Sequence, residues 1–382
     1  MTDDAKNPWL AIVRELGPTL AASAAAKDAE GSFAEEAYRL FADRRLFSMA
    51  IPEELGGGGA SFFQVCDTLR ELGTFDGSSA LALSMHTHLV AASVWKYRRD
   101  KSSEALLRKI AKGQLALVST GASDWIDSNG TMTRVEGGFR VSARKIFGSG
   151  SPAAALMIAS ARYEDPQDGA QVLHFGVPLS AEGVSSAADW DAHGMRRTGS
   201  HTLILENVFV PDQAISLRRP AGQWHPAWSV VLTVAPPIYM SPYVGIAEKA
   251  AELARSSARA SAEIPYVPLL AGETEVELAA TRLAWRALVA NANEYDFAPA
   301  LETANAQLVN KALCARAAVA TVEKAMELAG GRGFFRRFGL ERLLRDVRAA
   351  PYHPLPDKRQ QEFSGRLALG RDPITNQPRS AP

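Results

Sequence analysis

The spacing of apolar residues changes twice along this chain, and that double change restricts it to few architectures. From Asn7 to about Ile110 they recur three to four positions apart, as in WLAIVRELGPTLAASAAA and FAEEAYRLFADRRLFSM, the period of amphipathic helices. Between Leu115 and about Val210 the period is two. Here LALVST, TMTRVEGGFRVSARKIFGSG, QVLHFGVPL and SHTLILENVFVP set β-branched residues between Gly, Asp and Pro turns. From Pro226 to Leu344 the helical period returns in long Ala-rich stretches, which suit an antiparallel bundle. The expected class is α+β: an N-terminal helical domain over 1–113, a central antiparallel β-domain over 114–222, a C-terminal helical bundle over 223–370 and a tail over 371–382.

Local signals punctuate these regions. Ile51-Pro52-Glu53-Glu54-Leu55 and Gly56 to Gly59 read as a stop and a loop, and Gly137-Gly138 as a hairpin turn. Helices are expected to start near Ser61 and near Gly77-Ser78-Ser79, with serine as the cap. The second carries SALALSMHTHLVAASVW, almost uncharged and therefore buried on most sides. His86 and His88 lie two apart, on different faces of that helix. His86 is either a hydrogen-bonded core residue or part of an active-site wall.

Charge narrows the partner. With 42 basic and 42 acidic residues the net charge is zero, which argues against a general nucleic-acid or membrane-surface binder and for a small molecule. Cys66 and Cys314, each among apolar residues, read as buried inert thiols, and no metal site is expected. The N-terminus has no basic-then-apolar signal, and no apolar run is expected to approach ~20 residues, so a cytoplasmic protein is the default.

Five motifs in order give the arrangement a family likeness: Ile51-Pro-Glu-Glu-Leu-Gly-Gly-Gly-Gly, Lys145-Ile-Phe-Gly-Ser-Gly, Gly194-Met-Arg-Arg-Thr-Gly-Ser-His-Thr, Val208-Phe-Val-Pro, and Gly330-Gly-Arg-Gly-Phe with Arg345-Asp346. Over nearly its whole length the chain resembles the acyl-CoA dehydrogenase superfamily of flavoproteins, whose C-terminal part is a four-helix bundle. The resemblance implies a flavin, FAD or FMN, with Ser119 and Thr120 as donors to it, Phe147 as a stacking aromatic and Ser149 as a neighbouring hydroxyl. Gly330 and Gly331 fall where a neighbouring subunit approaches the dinucleotide, which implies a homo-oligomer, commonly a tetramer. Glu327 in place of glutamine, and the absence of an Arg-x-x-Phe-Gly turn around Arg255 and Arg259, count against FAD.

The family's best-known reaction needs a carboxylate base, eight residues past the Arg-Asp pair or on the first bundle helix. Those positions hold Pro354 and Ala235, and Thr233 and Pro236 stand where CoA would be gripped. What the loop offers instead is Tyr352-His353-Pro354. A histidine here resembles the two-component monooxygenases of this superfamily, which receive reduced flavin from a separate reductase. There it acts as a base toward a substrate hydroxyl or stabilises the oxygen-bearing flavin.

The expected function is therefore a reduced-flavin, oxygen-dependent monooxygenase acting on a small organic substrate, with His353, and His86 opposite it, as catalytic residues. The alternatives are an acyl-CoA or acyl-carrier dehydrogenase with a relocated base, and a non-catalytic flavin-binding homologue. Asp124 and Trp125 read either as pocket wall or as surface turn, and Arg196 as a strand-edge ion pair in preference to a substrate contact.

Overall fold

The computed structural model describes residues 7–122 and 124–379. Five helices come first: α1 (Pro8–Lys27), α2 (Glu35–Asp43), α3 (Phe62–Phe75), α4 (Gly77–Asp100) and α5 (Glu104–Gly113). Helix α3 starts with a capping box. Ser61 Oγ accepts from the Gln64 N–H at 3.2 Å and Gln64 Oε1 accepts from the Ser61 N–H at 2.9 Å. The cap of α4 is Asp76 and not one of the serines after it. Its carboxylate accepts from the Ser78 N–H at 3.1 Å and from the Ser79 hydroxyl at 2.5 Å, a stronger acceptor at the positive end of the helix.

Eight strands follow: β1 (Leu117–Ser119), β2 (Thr131–Val135), β3 (Gly138–Gly148), β4 (Leu156–Asp165), β5 (Gly169–Pro178), β6 (Val184–Ser186), β7 (His201–Pro211) and β8 (Ile215–Pro220). They form one sheet in the order β6-β7-β3-β2-β4-β5-β8, with β1 also on β4. The sheet is mixed where an antiparallel one was expected, because β1 and β2 both run parallel to β4. Strand β3 already has β2 on one edge and β7 on the other, so β4 crosses over to the far side of β2. Strand β1 covers β4 at Leu156–Ile158 and β2 covers it at Arg162–Tyr163, which leaves Ala159 to Ala161 to be met by the loop between them.

The last part comprises α6 (Pro226–Ala258), α7 (Tyr266–Asn291), α8 (Leu301–Ala329), α9 (Leu340–Val347) and α10 (Asp357–Ala368). Helix α6 belongs to the same core as the N-terminal helices and the faces of α7 and α8. Contrary to the expectation of no long apolar run, its segment is long and apolar enough to cross a membrane, yet it is almost wholly buried inside the protein. It is a core helix. Pro236, Pro237 and Pro242 lie within it, and each removes an N–H from the helical ladder. The Thr233 carbonyl, deprived of its donor by Pro237, accepts from Gln307 Nε2 of α8 at 2.8 Å.

Helices α3 and α6 cross at two glycines. A Cβ on Gly245 would lie 2.0 Å from the Arg70 carbonyl oxygen, and one on Gly73 would lie 2.4 Å from the Pro242 carbonyl oxygen. Both obstacles are backbone, so neither can rotate away. Gly245→Ala is expected to lower unfolding stability by about 1–3 kcal/mol or more through overpacking, read as a fall in the urea midpoint. Gly169→Ala at a turn with open space around it should cost only about 1 kcal/mol from its positive φ. Equal losses at the two sites would contradict the close crossing.

Candidate active site

A cavity of about 600 Å³ opens where α4, the ends of β1 and β3, the stretch from Trp190 to Ser200, α6 and the loop after α9 converge. One wall is a single face of α6, formed by Trp228, Val231, Leu232, Ala235 and Tyr239. Leu81, Met85 and His88 of α4 supply another, at the i, i+4, i+7 spacing of one helix face. Arg345 and Arg348 are the cations at its edge. Arg345 is held by Asp28 and Glu341, and Arg348 by Glu323, so both charges are compensated. Among the described residues no Asp or Glu lines the cavity.

His353 sits on this cavity, half-buried. Its ring stacks on Tyr239 with centroids 4.7 Å apart and planes 21° apart, and its Nε2 lies 2.6 Å from the Tyr243 hydroxyl. Tyr243 is fully buried, and this is its one hydroxyl partner among the described residues. The assignment that leaves no buried proton unpaired has Tyr243 donating to Nε2, which puts the imidazole proton on Nδ1. Burial, with help from the Lys311 ammonium and His88, lowers the His353 pKa to about 3. At neutral pH it is an uncharged hydrogen-bond donor.

His88 is the residue that sequence reading missed. Its Nδ1 lies 3.3 Å from the Ser84 carbonyl, so Nδ1 carries the proton and Nε2 is an acceptor. Burial lowers its pKa to about 4. The signal was present, since His88 shares a helix face with Leu81 and Met85 and His86 does not. His86 is thereby corrected to a core residue. Its Nε2 donates to the Phe47 carbonyl at 2.7 Å and its Nδ1 accepts from the Leu117 N–H at 3.0 Å, so both nitrogens are spent, one tying α4 to the turn at Leu46–Ser48 and the other tying it to β1.

The strand ends present the other expected residues. A register shift between Lys145 and Gly148 turns the chain outward, with Phe147 at φ +59° and 51% exposed. Its ring meets Trp190 edge-on at 6.1 Å. Ser149, Ser200 and Thr198 form a chain of hydroxyls with spacings of 2.7 and 2.6 Å, ending where Thr198 donates to the Met195 carbonyl at 3.0 Å. That end fixes the direction of the others and leaves Ser149 Oγ with free lone pairs. Ser119 lines the cavity; the Thr120 hydroxyl does not, being shared between Asp124 and the Ile158 carbonyl. Gly330 and Gly331 are exposed and apart from the cavity of their own chain, with nothing near them.

Asp124 and Trp125 are not a surface turn: Asp124 and Ile126 are buried and Trp125 is half-buried, while Ala122, Asp127 and Asn129 stay exposed. Asp124 binds the fully buried Lys145 ammonium and accepts from the Ser160 N–H at 2.9 Å, at the part of β4 that β1 and β2 leave uncovered. Lys145 also reaches the Ser160 carbonyl at 2.6 Å and the Asn129 carbonyl at 2.9 Å. The clamp aims Trp125 at the cavity, 4.7 Å from Trp228. Two of the motifs also meet. Gly194 packs where a Cβ would be 2.1 Å from the Arg345 carbonyl, and the Met195 N–H donates to Asp346 at 2.6 Å. Arg196 pairs with the Asp191 carboxylate at 3.6 Å, bonds the carbonyls of Asp28 and Ala192, and does not line the cavity, in line with the expected ion pair.

Residues 12–114 match the N-terminal domain of acyl-CoA dehydrogenases, and residues 240–357 match a C-terminal domain of the same enzymes. The chain belongs to the acyl-CoA dehydrogenase family. Within it, the chain is 29% identical over 388 residues to a probable FMNH2-dependent monooxygenase, SfnC, of Pseudomonas putida, covering 95% of each. It is 28% identical over 393 residues to the dibenzothiophene monooxygenase of Mycolicibacterium goodii, covering 95% of this chain and 94% of that one. The crystal structure of a nitrososynthase from Micromonospora carbonacea var. africana superposes with a TM-score of 0.85 at 25% identity, over 95% of this chain and 96% of that chain.

Burying neutral imidazoles makes this family member sensitive to acid. His86, His88 and His353 have folded pKa values of about 4, 4 and 3, below the ~6.5 of an unfolded histidine. As pH falls below ~6.5 the unfolded chain takes up protons first, so their stabilisation, complete above that pH, is lost toward the folded values. The thermal midpoint should fall between about pH 7 and about pH 4.5, and His86→Gln should flatten the fall. A midpoint insensitive to pH in that window would contradict the buried, neutral assignment.

Proposed function

We propose that this chain is a flavin-dependent monooxygenase: substrate, dioxygen and reduced flavin give oxygenated substrate, water and oxidised flavin. The observation that carries the reading is a neutral imidazole fixed on a cavity that no carboxylate among the described residues lines. A dehydrogenase of this fold needs a carboxylate to remove the α-proton. Here the corresponding loop offers His353, and Ala235 of α6 faces the same space without a functional group. The similarity to monooxygenases along almost the full chain supports the same reading.

The residues present fit a flavin. Half-exposed Phe147 with Trp190 offers an aromatic face, while the Ser119 hydroxyl and the free lone pairs of Ser149 offer polar contacts at the strand ends. Reduced flavin supplies the activation of dioxygen when bound. FMN suits the chain better than FAD, because the Arg-x-x-Phe-Gly turn is missing and a relative's name specifies FMNH2. His353 Nδ1–H donates toward the reacting oxygen and His88 Nε2 accepts a substrate proton; the apolar face of α6 excludes water.

The substrate is small, uncharged and largely apolar. Cations at the mouth are already paired and aromatic side chains dominate the interior, with Trp125, Trp228 and Tyr239 on one side. A flavin reductase supplies the reduced cofactor, and the protein works in the cytoplasm as a homotetramer. Leu269, Val276 and Leu283 form an exposed stripe along α7, with Val309 and Leu313 exposed on α8, and the bare turn of Gly330 and Gly331 carries exposed Phe334 and Phe335. These surfaces support assembly of copies of the chain.

The test uses purified protein with reduced FMN, oxygen and a panel of uncharged aromatic and sulfur-containing compounds. Substrate-dependent product carrying one atom of labelled dioxygen is expected. His353→Ala should lower kcat/KM by about 100-fold or more without a matching loss of flavin affinity. Bleaching of a tightly bound flavin by an acyl-CoA, with no oxygenated product, would overturn the proposal.

A further inference from the structure

The loop that carries His353 cannot hold its own shape. Pro351, Pro354 and Pro356 lack N–H groups, and the carbonyls between them need donors from elsewhere. Two helices provide these. From α6, the Tyr239 hydroxyl donates to the Pro354 carbonyl at 3.1 Å. From α8, the fully buried Lys311 ammonium donates to the carbonyls of Pro351, His353 and Leu355 at 3.3, 3.1 and 3.1 Å. Three N–H bonds thus meet three acceptors at alternate residues, with His353 in the middle.

We infer that Lys311 is a positioning residue for the reaction, its ammonium setting the backbone from Pro351 to Leu355 so that His353 is held between Tyr239, Tyr243 and the cavity. The inference rests on the reading of His353 as the acting group. No carboxylate forms an ion pair with Lys311 among the described residues, and a buried ammonium without one is costly for purely structural use. An apolar side chain would fill the same space more cheaply, but would leave three carbonyls without donors.

Charge matters here as well as reach. An amine has only two N–H groups, so loss of the proton frees one carbonyl. The groups that face it are His353 on the loop and Asp357 at the start of α10, whose carboxylate is 3.6 Å from Arg316; His353 in turn contacts the buried phenols Tyr239 and Tyr243 on α6 and is influenced by His88 on α4. Burial lowers the Lys311 pKa to about 8, against the favourable field of Asp357. The folded value lies below the ordinary lysine value, so the contribution of Lys311 to global stability rises as pH climbs above about 8, while the loop loses a bond. Alkaline loss of activity is then distinguishable from unfolding.

The experiment measures carbethoxylation of each histidine by peptide mass spectrometry in the full chain, with His86 as an internal control. In Lys311→Met, labelling of His353 should rise about tenfold with His86 unchanged, and kcat should fall by about 100-fold with little change in KM. His353 labelling and kcat both within twofold of the parent would overturn the inference. Should the variant not fold, the unaltered protein at about pH 7 and about pH 9.5 serves: His353 labelling, corrected against free histidine, rises if the ammonium holds the loop, and a constant rate overturns it. The labelling arm does not depend on turnover, so it separates failure of this inference from failure of the monooxygenase reading.

Discussion

The burial of α6 is the constraint on which the rest depends. The helix is uncharged over most of its length, and packing on all sides compensates for three internal prolines, as when Gln307 takes up the Thr233 carbonyl. Glycines at 73 and 245 bring α3 against it closely enough that no side chain fits between the backbones. A helix fixed in this way is a rigid reference. One face becomes the cavity wall, and Tyr239 and Tyr243 project from it to orient His353. Chemistry carried on a loop acquires the precision of a core helix.

The part of the wall beside α6 is set by an electrostatic device in the sheet. Strands β1 and β2 leave a gap on the edge of β4, and the intervening loop fills it by placing Asp124 and Lys145 against Ser160. An ion pair buried in this manner adds little net stability, because desolvation offsets much of the attraction. It does fix geometry. With Asp124 held in this way, the neighbouring Trp125 lines the cavity.

The succession of helical, β and helical parts was legible because hydrophobic period reports directly on which faces are buried. The parallel pairings on β4 were not, since alternation along a strand says nothing about the direction of its neighbour. At the site, His353, Ser119, Phe147 and Ser149 were legible only through motif position, and the structure brings all four to one cavity. His86 and His88 were separable by helix face, yet choosing between them required knowing which face looks inward. Thr120 illustrates a different limit: its hydroxyl is consumed by Asp124, four residues on, and no spacing rule announces that. Lys311 was silent for the same reason, because its acceptors are backbone carbonyls some 40 residues away.

The exchange of carboxylate for imidazole at this loop is more than a change of base. A carboxylate set among Tyr239, Tyr243 and the apolar face of α6 would have its pKa raised by burial, as that of Asp346 nearby is pushed to about 6. Such a group is poised to take a proton, which is what removal of an α-proton demands. The same burial acts on imidazole in the opposite sense and keeps it uncharged through the neutral range. His353 then offers one donor and His88 one acceptor on the cavity lining, where the arginine charges are already paired. That pairing suits a reaction in which a proton is placed and recovered around oxygen, and it suits poorly the abstraction of a proton from carbon. On the proposed assignment of His353, the same burial serves either chemistry, and the loop residue decides which.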